Sequence, residues 1–276
     1  MRKLIWLVMI LLPGLLNAQE KISWTTPTAI LTISQPDLIS LDSRDQIFVS
    51  SQTGDIFLFD QKGNQLNLFS PPRQGKLQQL EAAWTVNIFS FSADLQEYRI
   101  LDRFLNPLAE NTFLLNDITL PKAATLGNNN IIWIWDESDL SLKSLNYLQK
   151  QIIQSQPLNL ILDSPTLNVR EIREIKNRLY LNIPDSGIFI FDNQGNFIQK
   201  LTIQVDQKLT FYKERIFWLE EDLLQSISLR TLEVSDHGVV PVAQAKSIQI
   251  GQEILVIQTD KAIQIFDLPQ ELKNLK

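Results

Sequence analysis

Cysteine is absent from this chain and histidine occurs once, at position 237. Without cysteine there is no disulfide frame, no thiol nucleophile and no thiolate metal ligand, so the fold has to stand on its packed core. No lipid-attachment cysteine follows the N-terminal apolar run either, which argues against a bacterial lipoprotein. A single histidine makes any Ser–His–acid chemistry depend on one residue. His237 sits in Ser235-Asp236-His237-Gly238, which reads as a solvated turn and a poor candidate for a base. Long apolar runs are equally scarce. The one clear case, Leu4 to Leu16, is about a dozen residues long against the roughly 20 that a membrane-spanning helix needs. No basic cluster longer than two residues occurs, which argues against nucleic acid and anionic lipid surfaces as partners.

What stands at the N-terminus has the order of an export signal. Arg2 and Lys3 precede the apolar run, and Asn17-Ala18-Gln19 supplies a small residue for cleavage after Ala18. Residues 1–18 are therefore expected to be a signal peptide and 19–276 the mature chain, exported to the periplasm or outside the cell. The alternative is an uncleaved anchor. Loss of Arg2 and Lys3 leaves 23 basic against 31 acidic residues, and this mild acidity favours solubility.

Internal repetition carries the architecture. Gly54-Asp55-Ile56-Phe57-Leu58-Phe59-Asp60 runs into Gly63-Asn64, and Gly187-Ile188-Phe189-Ile190-Phe191-Asp192 runs into Gly195-Asn196. Ile263-Gln264-Ile265-Phe266-Asp267 is a third copy. Each follows another strand-like run across a polar loop, the pattern of a β-hairpin. Degenerate copies place further anchors at Asp102, Asn146 and Arg230. The anchors recur about every 41 residues, within the blade-length range of propeller repeats. Ahead of each hairpin lies a run fit for an innermost strand: residues 38–41, 82–86, 123–126, 169–172, 209–212 and 247–250.

Four strands in each of six units predict an all-β, six-bladed β-propeller. A seventh hairpin is not found, and five blades would mean discarding a unit. The last unit has no fourth strand before its polar tail, whereas Ala29 to Ser34 is a spare strand near the N-terminus. Pairing of the two would close the ring and leave no long edge exposed.

The stretch from Asp42 to Phe69, with its Thr-Gly-Asp turn, aromatic strand ending in Asp and Gly-Asn turn, resembles an NHL-type repeat. Ser186 to Leu201 is a second match. The resemblance implies a six-bladed propeller used as a binding platform; its motif is structural and transfers no catalytic residue. The exported, cysteine-free form also resembles secreted proteins of Bacteroidetes-type bacteria.

No catalytic or metal-ligating constellation stands out, and no cofactor is expected. The Asp ending each aromatic strand reads as a turn former whose carboxylate accepts local backbone N–H groups. Oxygen-rich runs at Asn128–Asn130, Asp136–Asp139 and Glu220–Asp222 fall in predicted hairpin loops and read as solvated turns, whereas calcium needs six to eight converging oxygens. Trp133, Trp135 and Trp218 lie in predicted strands and are expected between blades; Trp24 and Trp84 are less constrained, and Trp84 could line a channel mouth. Arg170, Arg173 and Arg178 with Glu171 and Glu174 read as a self-compensated surface patch, with Arg170 and Arg173 as binding candidates. The expected function is a non-enzymatic module that binds another envelope or secreted protein through its loops. A calcium-dependent, lactonase-like propeller hydrolase or lyase is the alternative, and a carbohydrate-binding module the third reading.

Overall fold

A computed structural model describes residues 22–82, 87–162 and 167–275; the predicted signal peptide, residues 1–18, lies outside the described residues. Six four-stranded antiparallel sheets follow one another. Blade one comprises Pro36–Leu41, Ile47–Ser51, Ile56–Phe59 and Gln65–Phe69, in order from the inner strand to the outer. Blade two comprises Gln79–Glu81, Asn87–Ser92, Glu97–Asp102 and Pro107–Thr112. Blade three comprises Pro121–Leu126, Ile131–Asp136, Ser141–Asn146 and Gln151–Pro157. Blade four comprises Glu171–Ile175, Arg178–Ile183, Gly187–Asp192 and Phe197–Leu201. Blade five comprises Thr210–Tyr212, Arg215–Glu220, Leu223–Ser228 and Val234–Val239. In blade six, Ser247–Ile250, Ile254–Gln258 and Ile263–Asp267 are joined by an outer strand from the other end of the chain, Ala29–Leu31.

That last pairing closes the ring as expected. Ala29, Ile30 and Leu31 stand opposite Ile265, Gln264 and Ile263. Thr28 extends the seam by donating its N–H to the Ile265 carbonyl at 2.7 Å. Closure covers the edge of Ile263–Asp267 and leaves in its place only the three-residue strand Ala29–Leu31.

The second and third strands read as nearly unbroken apolar runs because both faces of each blade are covered. Strand alternation sends successive side chains to opposite neighbours. Ile47 and Val49 pack toward blade six, and Phe48 between them packs toward blade two. Leu179 and Leu181 face blade three, and Tyr180 faces blade five. Buried clusters occupy every junction between adjacent blades, including that between six and one. Burial of each such Leu, Ile or Phe contributes about 1.5–3 kcal/mol, which stabilises a ring that has no disulfide.

The turn-forming role of the repeated Asp holds in atomic detail for three blades. Asp60 Oδ1 accepts from the N–H groups of Lys62 and Asn64, and its Oδ2 accepts from Asn64 Nδ2. Asp102 does the same with Phe104 and Asn106, and Asp192 with Gln194 and Asn196. Gly63 and Gly195 then sit at φ of +83° and +81°, where a side chain is strained.

Several expectations are corrected. The anchor of blade five is Ser228, not Arg230: Ser228 N–H donates to Glu233 O, the bond that Asp60 and Asp192 make at their turns. Asp267 ends the strand Ile263–Asp267, opposite Ile254, and forms no such turn among the described residues. The inner strand of blade two is Gln79–Glu81, and residues 83–86 of the expected run 82–86 lie outside the described residues; that of blade four starts at Glu171 rather than 169. Both inner strands mix polar and apolar residues, because one face of an inner strand turns to the channel. The tail beyond Leu268 is not merely polar. It forms a short helix, Gln270–Lys273, whose Leu272 is buried between blades five and six.

Candidate functional site

Polar side chains on the inner strands converge on the ring axis. Gln79 and Glu81 come from blade two, Thr125 from blade three, and Glu171 and Arg173 from blade four. All five are buried. Gln79 Nε2 donates to Glu81 Oε1 at 2.6 Å and to Glu171 Oε1 at 3.4 Å. Thr125 Oγ1 donates to Glu81 Oε2 at 3.0 Å, and Leu209 N–H donates to Glu171 Oε2 at 2.7 Å. Lys208, on the segment entering blade five, donates to Gln79 Oε1 at 3.0 Å. These bonds join blades two, three, four and five across the axis.

Arg173 is the least satisfied member of this layer. Its nearest carboxylate oxygens, Glu81 Oε1 and Glu171 Oε1, lie 3.6 and 3.7 Å away, beyond direct hydrogen-bond distance. Its side chain is only 10% exposed, and the guanidinium makes no hydrogen bond among the described residues. A cavity of about 370 Å³ opens at the end of the ring where the inner strands begin. Arg173 lines it together with Asp37, Gln79, Glu171, Lys208 and Gln249. A second cavity of about 210 Å³ lies where the inner strands end, and Arg173 and Gln249 line it too. The two side chains therefore stand at the waist of the channel.

The electrostatics follow from burial. Desolvation pushes the Glu81 carboxyl above the ordinary range, against the pull of Arg173 and the hydrogen bonds from Gln79 and Thr125. Desolvation likewise holds the Lys208 ammonium below the usual lysine range, against the attraction of Glu171. Burial thus disfavours the charged form of both groups, while neighbouring donors already engage the two acids.

The remaining candidates are dispersed. Arg170 lies on the surface and donates to Asp206 O, with Asp206 Oδ1 at 3.6 Å. Trp84 lies outside the described residues. Trp133, Trp135 and Trp218 are buried as expected, and Trp24 packs edge-on to Phe266 at 6.1 Å. The mixed-charge group of blade four is not one surface patch, because alternate residues of a strand point opposite ways. Glu171 and Arg173 face the channel, whereas Glu174 accepts from Trp133 Nε1 at 2.9 Å at the blade three junction. Arg178 stays exposed on the next strand.

His237 is also corrected. It belongs to the outer strand of blade five, is 4% exposed, and its Nε2 is 2.7 Å from Ser226 Oγ. Burial and the Arg215 charge lower its pKa to about 4. Asp136 is no solvated turn residue either; it is fully buried and paired with Lys143 at 2.7 Å. Among the described residues no three Asp, Glu or His side chains converge as a metal site would require.

Gln79, Glu81, Thr125, Lys208 and Gln249 escaped the sequence reading. The polar i, i+2 pairs Gln79/Glu81 and Glu171/Arg173 were the available signal, since alternation places both members on one face.

No family model matches the chain, and no curated protein matches it in sequence. Solved structures do resemble it. The β-propeller domain of Cps50 (Swd1) from Myceliophteria thermophila is similar with a TM-score of 0.61 at 10% identity, over 88% of this chain and 99% of that one. A catalytically inactive histidine-to-alanine variant of virginiamycin B lyase from Staphylococcus aureus, with quinupristin, gives 0.55 at 12% identity, over 84% and 80%. PorZ, an essential bacterial surface component of the type-IX secretion system of Porphyromonas gingivalis, gives 0.54 at 13% identity, over 84% of this chain and 31% of PorZ. At these identities the likeness establishes the propeller fold and leaves the activity to the residues.

Proposed function

We propose that this protein is an exported, non-enzymatic β-propeller of the NHL-like kind that binds a partner protein at the mouth where its inner strands begin. The cavity at that mouth carries the reading. Five of the six blades or their entering loops contribute to it, and a nearly buried Arg173 presents its donors there without a hydrogen-bonded partner among the described residues. A rigid ring that holds polar groups from separate blades around one opening suits recognition of a protruding segment. The N-terminal sequence supports export to the periplasm or cell exterior. The resemblance to PorZ, a surface component of a secretion system, agrees with an envelope role.

The test is affinity capture from envelope extract with the mature chain, compared with Lys208→Gln at the mouth and Gln249→Ala at the waist beneath it. A partner retained by the parent and lost by both variants, at unchanged melting temperature, is the expected result. Capture indifferent to both would remove the mouth from the reading. N-terminal sequencing of the exported protein tests cleavage after Ala18, and a rise in melting temperature with calcium would favour the metal-dependent enzyme instead.

A further inference from the structure

We propose that a groove between blades four and five, on the face where the inner strands end, docks an acidic peptide segment that carries a large apolar side chain. The groove encloses about 320 Å³ and is separate from the channel mouth. Lys176, Arg178, Lys213 and Arg230 line it, against the single acid Glu214. A surplus of three positive charges around one cavity stands out in a chain whose net charge is −6. Such a concentration focuses positive potential over the opening and draws anions to it.

The cations are poorly compensated. Lys176 reaches Glu214 only at 4.0 Å, and both side chains are more than half exposed. Lys213 donates to the main-chain carbonyls of Lys273 and Leu275, which anchors it without cancelling its charge. Arg178 stands across the sheet from Asp192, but that carboxylate is occupied by its own turn and forms no ion pair with it. Arg230 is exposed and has no ion pair among the described residues.

Beneath the charges the floor is apolar. Tyr180 and Phe211 meet edge to face at 4.8 Å, and Leu229 completes the wall, with Phe211 and Leu229 only half-buried. A simple anion would need the cations but not this floor, and an apolar ligand would need the floor but not the cations. An apolar side chain flanked by carboxylates on one peptide meets both. Charge complementarity selects the partner, and the aromatic floor anchors it.

Fluorescence anisotropy with a labelled glutamate-rich peptide containing one central phenylalanine tests the assignment. Saturable binding at low salt is expected, weakened about tenfold or more by raised salt, by exchange of the peptide's glutamates for glutamine, or by exchange of its phenylalanine for glycine. Arg178→Glu with Arg230→Glu should abolish binding at unchanged melting temperature, Leu229→Ala should weaken it, and Lys208→Gln at the channel mouth should leave it intact. The proposal is overturned if the parent shows no saturable binding at millimolar peptide, or if the double charge reversal leaves affinity unchanged. Equal or tighter binding of a sulfated polysaccharide would also overturn it, since that ligand ignores the apolar floor.

Discussion

Replacement of Asp136 by asparagine should cost the protein several kcal/mol at neutral pH and markedly less in acid. Asp136 is fully buried at the end of the second strand of blade three. Its Oδ1 accepts from Leu120 N, Ser138 N and Ser138 Oγ, and its Oδ2 from Thr119 N and Lys143 Nζ. Burial raises the pKa, but these five donors outweigh it and hold the carboxyl at about 2, below the ordinary value of 3.8. A group depressed on folding contributes stability that is complete above its unfolded pKa and is lost as pH falls through its folded one. At about 1.4 kcal/mol per pH unit, the shift corresponds to roughly 2.5 kcal/mol at pH 7. About 1 kcal/mol of that should be gone at pH 3 and about 2 kcal/mol at pH 2.

The amide that Asp136→Asn introduces cannot accept on both sides, and it leaves Lys143 with Asp139 alone, at 2.8 Å. Breaking a buried pair in this way typically costs about 3–5 kcal/mol. Urea unfolding of the parent and Asp136→Asn at pH 7 and pH 3 measures both quantities. The difference between the two proteins should shrink by about 1 kcal/mol at the lower pH. A difference independent of pH would refute the ionic account and leave only a shape effect.

Leu31→Ala should destabilise the ring by about 2–5 kcal/mol, because Leu31 is buried in the junction of blades six and one; Ile30→Ala, on the same strand but 58% exposed, should stay within about 0.5 kcal/mol by urea titration. His237 should remain neutral down to about pH 4 by NMR titration. Since the unfolded chain takes that proton first, on the order of 3 kcal/mol should be lost between about pH 6.5 and pH 4, and His237→Gln should flatten that window. Asp192→Ala should lower stability by about 1 kcal/mol through loss of its turn bonds, and combination with Asp60→Ala should be additive, since the two turns belong to different blades; urea unfolding of the two single variants and the double variant checks both.

The ring was legible where its physics is local. The Asp-to-Asn turn is complete within five residues, so Asp60 and Asp192 announced it from spacing alone. Ser228 hid the fifth copy because a hydroxyl replaces the carboxylate and takes the N–H groups of Arg230 and Thr231 instead. Closure was legible by subtraction, as a spare strand at one end and a missing one at the other. His237 misled because Ser-Asp-His-Gly has turn composition, yet Gly238 at φ +88° lies inside the outer strand of blade five. The fact that decides its burial, Phe217 at 5.4 Å across the sheet, lies twenty positions away in sequence.

The candidate site was less legible for a reason the fold makes specific. In blade four Glu171, Arg173 and Glu174 read as one mixed-charge run, the composition of a solvated face. Their fates depend on parity and on position in the ring: Glu171 and Arg173 share the face turned to the channel, and Glu174 turns to Trp133. The partners that make a layer of them, Glu81 and Lys208, come from other blades and are brought close only when the ring closes. A closed ring brings to its axis residues that are remote in sequence, whereas a blade junction joins residues one repeat apart. The junctions could therefore be read from the period, but the channel could not. Functional groups that differ between blades at the axis leave no periodic trace, so in this architecture they have to be sought among the residues where the repeat fails.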